Sequence, residues 1–207
     1  MPEHKNVSLY QQQKASKPPV EDMIDEYLDG KMKKLALDLA AHFRANKMKP
    51  AWCLTNQWRA VYKAKNICRI TLYPGHLPAP PEIRATWVVT AYLMHLQDYE
   101  ETVIREDMQR FVWDNVVYCV HKPIDSPPPV ESRRTHGLGL PCNHWNCAPG
   151  NNITICGKEL TNICRNTNRQ YFWCHDPGEA TISAIKRLLE LEQKARAEND
   201  ASFRKRK

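Results

Sequence analysis

Apolar positions along this chain follow two rhythms. Near both ends they recur at helical spacing, and between those ends they alternate. Met23, Ile24, Tyr27 and Leu28 keep the helical period after Pro18-Pro19, a pair suited to a first turn. Glu21, Asp22 and Asp25 favour the positive N-terminus of that helix. Gly30 is read as a break or kink. A second helix is expected over about 31–46, with Met32, Leu35, Leu39 and Phe43 on one face. Residues 1–17 show neither rhythm and read as a flexible tail.

From Pro50 the period changes. Trp52–Leu54, Trp58–Tyr62 and Ile67–Tyr73 are rich in aromatic and β-branched residues, the signature of strands. Lys63–Asn66 separates the last two as a hairpin loop would. Trp58, Ala60 and Tyr62 alternate with Arg59, Val61 and Lys63, so the two sets serve opposite faces. After the Pro-rich segment 74–81, Ala85–Leu93 reads as the clearest strand. A helix is then expected from an N-cap at Asp98 to about Cys119. A Pro-rich loop spans 123–141. The last helix opens at Asp176-Pro177, carries Ile182, Ile185, Leu188, Leu189 and Leu191, and runs to about Ala197. The expected class is α+β: an antiparallel sheet of three or four strands packed against helices. One domain covers 18–198, a cysteine-rich lobe lies at 118–175 before the C-terminal helix, and a basic tail covers 199–207.

Composition sharpens this picture in two ways. At 207 residues with 42% hydrophobic content, the chain can bury one core. The net charge is +7, with 19 basic and 12 acidic side chains in residues 31–176. A basic body attracts polyanions. No apolar run is long enough for a transmembrane helix, and the polar N-terminus lacks a signal-peptide core, so a cytoplasmic protein without membrane association is expected.

Eight cysteines in such a compartment favour free thiols or metal ligands over a disulfide framework. Five of them fall within Pro141–Cys174. Cys142-x4-Cys147 forms a knuckle able to aim two thiolates at one metal. Cys119, at the end of a predicted helix, and Cys164, after a short β-type run at Ile153–Cys156, complete a candidate zinc site of Cys119, Cys142, Cys147 and Cys164. His121, His136 and His144 are alternative ligands. Buried free thiols are the competing reading, and they suit Cys53, Cys68 and Cys156 inside strands. A redox Cys-x-x-C motif is missing. A nucleophilic cysteine needs a positioned histidine, which the adjacency of Cys174 and His175 does not supply.

The segment Asn146-Cys-Ala-Pro-Gly-Asn-Asn-Ile-Thr-Ile-Cys-Gly-Lys-Glu159, continued to Asn162-Ile-Cys164, resembles an uncharacterised bacterial family distantly similar to YdhG-like and YjbR-like domains. Asp176-Pro177, Leu189-Glu-Leu191 and the opening Trp52, Trp58, Tyr62-Lys63 and Cys68 extend the resemblance over about 35–193. The first 30 residues and the long Pro-rich insert depart from it. The resemblance implies a compact α+β domain and no particular activity.

Trp58, Tyr62 and Trp87, on neighbouring predicted strands, are candidates to line an aromatic ligand-binding cleft. The same aromatics, interleaved with Arg59, Lys63, Lys65 and Arg69, also suit a stacking platform for single-stranded nucleic acid. Ordinary sheet core is the third reading. The function expected from these features is a non-enzymatic cytosolic binding domain for a small molecule or protein, stabilised by zinc. A nucleic-acid-associated module is the alternative, and a thiol-dependent enzyme ranks below both. No phosphate-binding glycine loop is present, and Glu100, Glu101, Glu106 and Asp107 suit solvated helix positions better than acid–base work.

Overall fold

The alternating middle of the chain folds into a sheet, and the helical stretches on either side cover one of its faces. The computed structural model describes residues 7–73, 85–117, 135–136, 140–141, 151–163 and 171–204. The class is α+β. Strands β1 (Lys49–Leu54), β2 (Gln57–Tyr62), β3 (Lys65–Leu72) and β4 (Trp87–Tyr92) lie side by side in sequence order. Short strands β5 (Thr135–His136) and β6 (Leu140–Pro141) pair with each other, and β7 (Asn151–Ile155) forms a hairpin with β8 (Lys158–Ile163). A further strand, β9 (Tyr171–His175), adds to β4, so the main sheet has five strands, every neighbouring pair antiparallel.

Turn chemistry fixes the register. Lys63 and Ala64 both take positive φ, 48° and 63°, as do Cys156 and Gly157 at 48° and 75°. Such two-residue loops match the right-handed twist of the strands they join. The loop expected over 63–66 is therefore shorter, because Tyr62 already pairs with Lys65.

Alternation then sorts the side chains. Trp58 and Ala60 of β2, Cys68, Ile70 and Leu72 of β3, Trp87, Val89 and Ala91 of β4, and Phe172 and Cys174 of β9 are all buried on one face. Helices α2 (Val20–Tyr27), α3 (Gly30–Ala45) and α6 (Glu179–Arg204) contribute to the same core through Ile24, Leu39, Phe43, Ile185 and Leu189. Gly30, at φ 47°, turns the chain between α2 and α3, which accounts for the break read there. A second cluster joins Leu188, Leu191 and Ala195 of α6 to Phe172, to Ile153 and Leu160 of the β7–β8 hairpin, and to the helices that follow β4. Helix α6 thus serves both clusters, each of its buried Leu or Ile side chains contributing about 1.5–3 kcal/mol.

A buried ion pair on α6 is fully hydrogen-bonded. Glu192 is 0% and Arg196 4% exposed, and they pair at 2.7 Å. Arg196 also donates to the carbonyls of Asn66 and Tyr92, both at 3.0 Å. Glu192 accepts from the His95 amide and the Tyr99 hydroxyl, both at 3.0 Å. Burial, together with the Glu192 carboxylate, pushes the Tyr99 pKa well up. The network ties α6 to the ends of β3 and β4 and to the 3-10 turn Leu96–Tyr99.

Several segments depart from the sequence reading. The stretch expected as a tail over 1–17 contains helix α1 (Leu9–Ser16), started by a capping box between Ser8 and Gln11. Gln13, only 3% exposed, donates to Asn56 Oδ1 at 2.6 Å and accepts from the Asn56 amide and the Trp52 indole. Lacking an apolar stripe, α1 is held by this polar side chain and by Tyr10, whose ring centroid lies 5.9 Å from that of Trp52. The helix expected over 98–119 is divided into α4 (Glu100–Arg105) and α5 (Gln109–Asn115). Asp107, at φ 56°, ends the first, with its amide bonding back to Ile104. Asp176 serves β4 instead of starting α6: its carboxylate accepts from the amides of Thr86 and Trp87 at 2.8 and 3.0 Å. At the other end α6 continues to Arg204, through the stretch expected as a basic tail from 199, and Asp200 pairs with Lys63 at 3.2 Å. Among the described residues, no helix is long and apolar enough to cross a membrane.

Candidate binding face

The residues that alternate with the core set share the sheet's other face. Cross-strand pairing puts Arg59, Arg69, Thr90 and Trp173 in one row over β2, β3, β4 and β9. Gln57, Thr71, Val88 and His175 form the next row. Arg59 and Arg69 stand directly opposite each other. Like charges so placed repel, which makes the pair costly unless something negative is supplied. Neither forms an ion pair among the described residues, although many other surface arginines and lysines do. The strands of this sheet carry Lys49, Arg59, Lys65 and Arg69 and not one Asp or Glu. Among the described residues the acidic side chains sit in the helices, in the connections and, as Glu159, in the separate β7–β8 hairpin.

Polar capacity on this face is left over. Arg69 donates to Gln57 Oε1 at a long 3.4 Å, while its Nε is buried without a partner among the described residues. The same holds for His175 Nε2. Burial pushes the His175 pKa down, which keeps its ring neutral at neutral pH. The charge of the face is therefore carried by the guanidinium groups of Arg59 and Arg69. Cys53 lies close enough to feel both arginines, but burial outweighs them and its pKa is raised.

The aromatic candidates occupy different places. Trp58 and Trp87, at 2% and 0% exposure, belong to the core between sheet and helices, and Tyr62 packs at its margin. The three meet in one cluster, but its inward side lies under the helical layer, so for both tryptophans the core reading holds over the cleft reading. Trp58 gives its indole N–H to the Pro18 carbonyl at 2.8 Å. Of the three, Tyr62 lines a surface pocket, with Lys63, Lys65, His95, Arg196 and Asn199. Arg59 and Trp58 do lie on opposite faces, as the alternation implies. The sequence reading packs Cys174 with Tyr171, Phe172 and Trp173, whereas register puts Trp173 on the face opposite Phe172 and Cys174, a separation that the run of Phe, Trp and Cys does not signal.

The described thiols behave as buried small groups. Cys68, Cys156 and Cys174 are 0%, 3% and 2% exposed. Burial pushes Cys68 and Cys156 up to about 12 and raises Cys174 as well. Such thiols are protonated at neutral pH and poor nucleophiles. The candidate zinc ligands Cys119, Cys142, Cys147 and Cys164 lie outside the described residues, as do His121 and His144. Among the described residues no group of three or more His, Cys, Asp or Glu is placed to hold a metal.

No protein-family model, no curated protein and no solved structure matches the chain. Fold and face together define an α+β domain with one sheet face packed on helices and the other carrying Arg59 and Arg69 on β2 and β3 but buried at Thr71, Val88 and Thr90.

Proposed function

We propose that the protein is a non-enzymatic cytosolic binding domain that holds an anionic ligand on the outer sheet face, at Arg59 and Arg69. The observation that carries this reading is the juxtaposition of two guanidinium groups across β2 and β3 with no described carboxylate beside them. Fork-shaped donors of this kind suit phosphate or carboxylate oxygens. The raised pKa values of Cys53, Cys68, Cys156 and Cys174 favour binding over thiol chemistry.

A structural zinc on Cys119, Cys142, Cys147 and Cys164 belongs to the same proposal. Its support is the knuckle spacing and the β7–β8 hairpin, where Asn151, four residues after Cys147, pairs with Ile163, next to Cys164. Metal content of the purified protein tests it. Kinship with the YdhG-like and YjbR-like domains rests on the motifs quoted above and on the α+β class.

Inorganic tripolyphosphate is the probe for the arginine pair. Calorimetry is expected to show binding that weakens on the order of 100-fold in Arg59→Gln/Arg69→Gln, at roughly 1.5 kcal/mol per charge-assisted contact. Undiminished binding in the double variant would overturn the reading.

A further inference from the structure

We infer that helix α1 is a latch. It undocks from the domain as a unit while the rest of the fold stays intact, and when closed it covers one corner of the edge strand β1. The latch is independent of the anion-binding reading above.

Three observations carry it. The first is where the core stops. Val20 and Ile24 of α2 are 1% and 0% exposed and belong to the main core. No residue of α1 belongs to any of the apolar clusters, and Gln13 is its one buried side chain. The second is how α1 is held. It is 8 residues long, too short to persist as a helix in water without tertiary support. That support is local. The Gln13 carboxamide donates to Asn56 Oδ1 at 2.6 Å, and it accepts from the Asn56 amide at 2.7 Å and from the Trp52 indole at 3.2 Å. Tyr10, itself exposed, adds a tilted ring contact to the same Trp52. Asn56 Nδ2 is buried without a partner among the described residues, so the socket is incompletely satisfied even when closed. All these contacts converge on Trp52 and Asn56, so they break together. The third is the hinge. Trp58 donates its indole N–H to the Pro18 carbonyl at 2.8 Å, which pins the chain to the domain just after α1. Lys17, between that pin and the helix, takes φ 44°, a left-handed conformation that an L side chain adopts at a cost. Undocking relieves Lys17 and leaves Pro18 and α2 in place. Release bares the Trp52 indole N–H and the Asn56 amide at β1, which ends the strand order of the main sheet. Covering such an edge with another element is one way folded chains control what reaches it.

Native-state hydrogen exchange of the full chain, followed against urea, tests the latch. The amides of Gln12 and Lys17 bond to the Ser8 and Gln13 carbonyls. They are expected to be protected on the order of 100-fold, as three ordinary hydrogen bonds allow, and to show little urea dependence. The amides of β3 and α6 should be protected far more and should lose protection steeply with urea, because they open only with the whole domain. Gln13→Ala should abolish the protection of α1 while the other amides keep the dispersed spectrum of a folded domain. Its equilibrium constant for global unfolding should rise by no more than the wild-type protection factor of α1, since the substitution acts on the closed form alone. Gln13→Met, which keeps the length of the side chain without its hydrogen bonds, should release α1 as Ala does. Exchange of α1 with the protection and urea dependence of β3 would make it part of the cooperative core and overturn the latch. A rise in global unfolding beyond the α1 protection factor in Gln13→Ala would do the same. Full protection of α1 in Gln13→Met would overturn it too, in favour of packing as the tie.

Discussion

Replacing Glu192 by Ala is expected to destabilise the protein by about 3–5 kcal/mol, because it leaves the Arg196 guanidinium buried without its counter-charge. The same change strips the acceptor from the Tyr99 hydroxyl and the His95 amide. All these groups hold the middle of α6 against the ends of β3 and β4. Urea unfolding measures the loss. The paired change Glu192→Leu/Arg196→Met supplies the control: it removes both charges and should recover much of the stability, since an apolar pair of similar volume avoids the unpaired charge. A small loss for Glu192→Ala would mean that water reaches Arg196 and that the network is not closed.

Phe172→Ala should cost about 3–5 kcal/mol, the range for a fully buried aromatic side chain. Phe172 is 0% exposed and packs in the second cluster with Ala91, Val112, Val116 and Leu188. Its backbone also bridges to Val116, so it ties β9 to the end of α5. The neighbouring Trp173, on the opposite face, is only half-buried, so Trp173→Leu, which keeps part of its apolar bulk, should cost less. Thermal unfolding of the two variants side by side checks this, and equal losses would contradict the assignment of faces on β9.

The sequence made the alternation of β2 legible, and with it the separation of Arg59 from Trp58. It also showed the helical stripes of α2, α3 and α6. Each of these signals is local, set by side-chain period within one element. Strand β9 was not legible as part of the sheet, because its pairing with β4 joins residues far apart in the chain. The pairing of Arg59 with Arg69 depends on register across a turn and a bulge after Ala60, which no period encodes. Helix α1 was missed for a different reason. It has almost no apolar stripe, and its anchor is a buried glutamine whose partners, Trp52 and Asn56, are supplied by β1 and the turn after it. The division between α4 and α5 was hidden because Asp107 is an unremarkable helix-surface residue until its backbone takes a positive φ. The aromatic cleft was proposed on the composition of the strands, and composition alone cannot say which face the helices cover.

The most direct test of the binding face follows the arginine side chains themselves. In a 1H–15N NMR titration with tripolyphosphate, the Nε–Hε signals of Arg59 and Arg69 should move together and saturate at one affinity, along with the backbone amides of neighbouring Gln57 and Thr90. The signals of α3 and of the α2–α3 core should stay in place. Shifts confined to Lys31 and Lys34 on α3, or to Lys63 and Lys65 at the β2–β3 turn, with both arginine signals unmoved, would contradict the account.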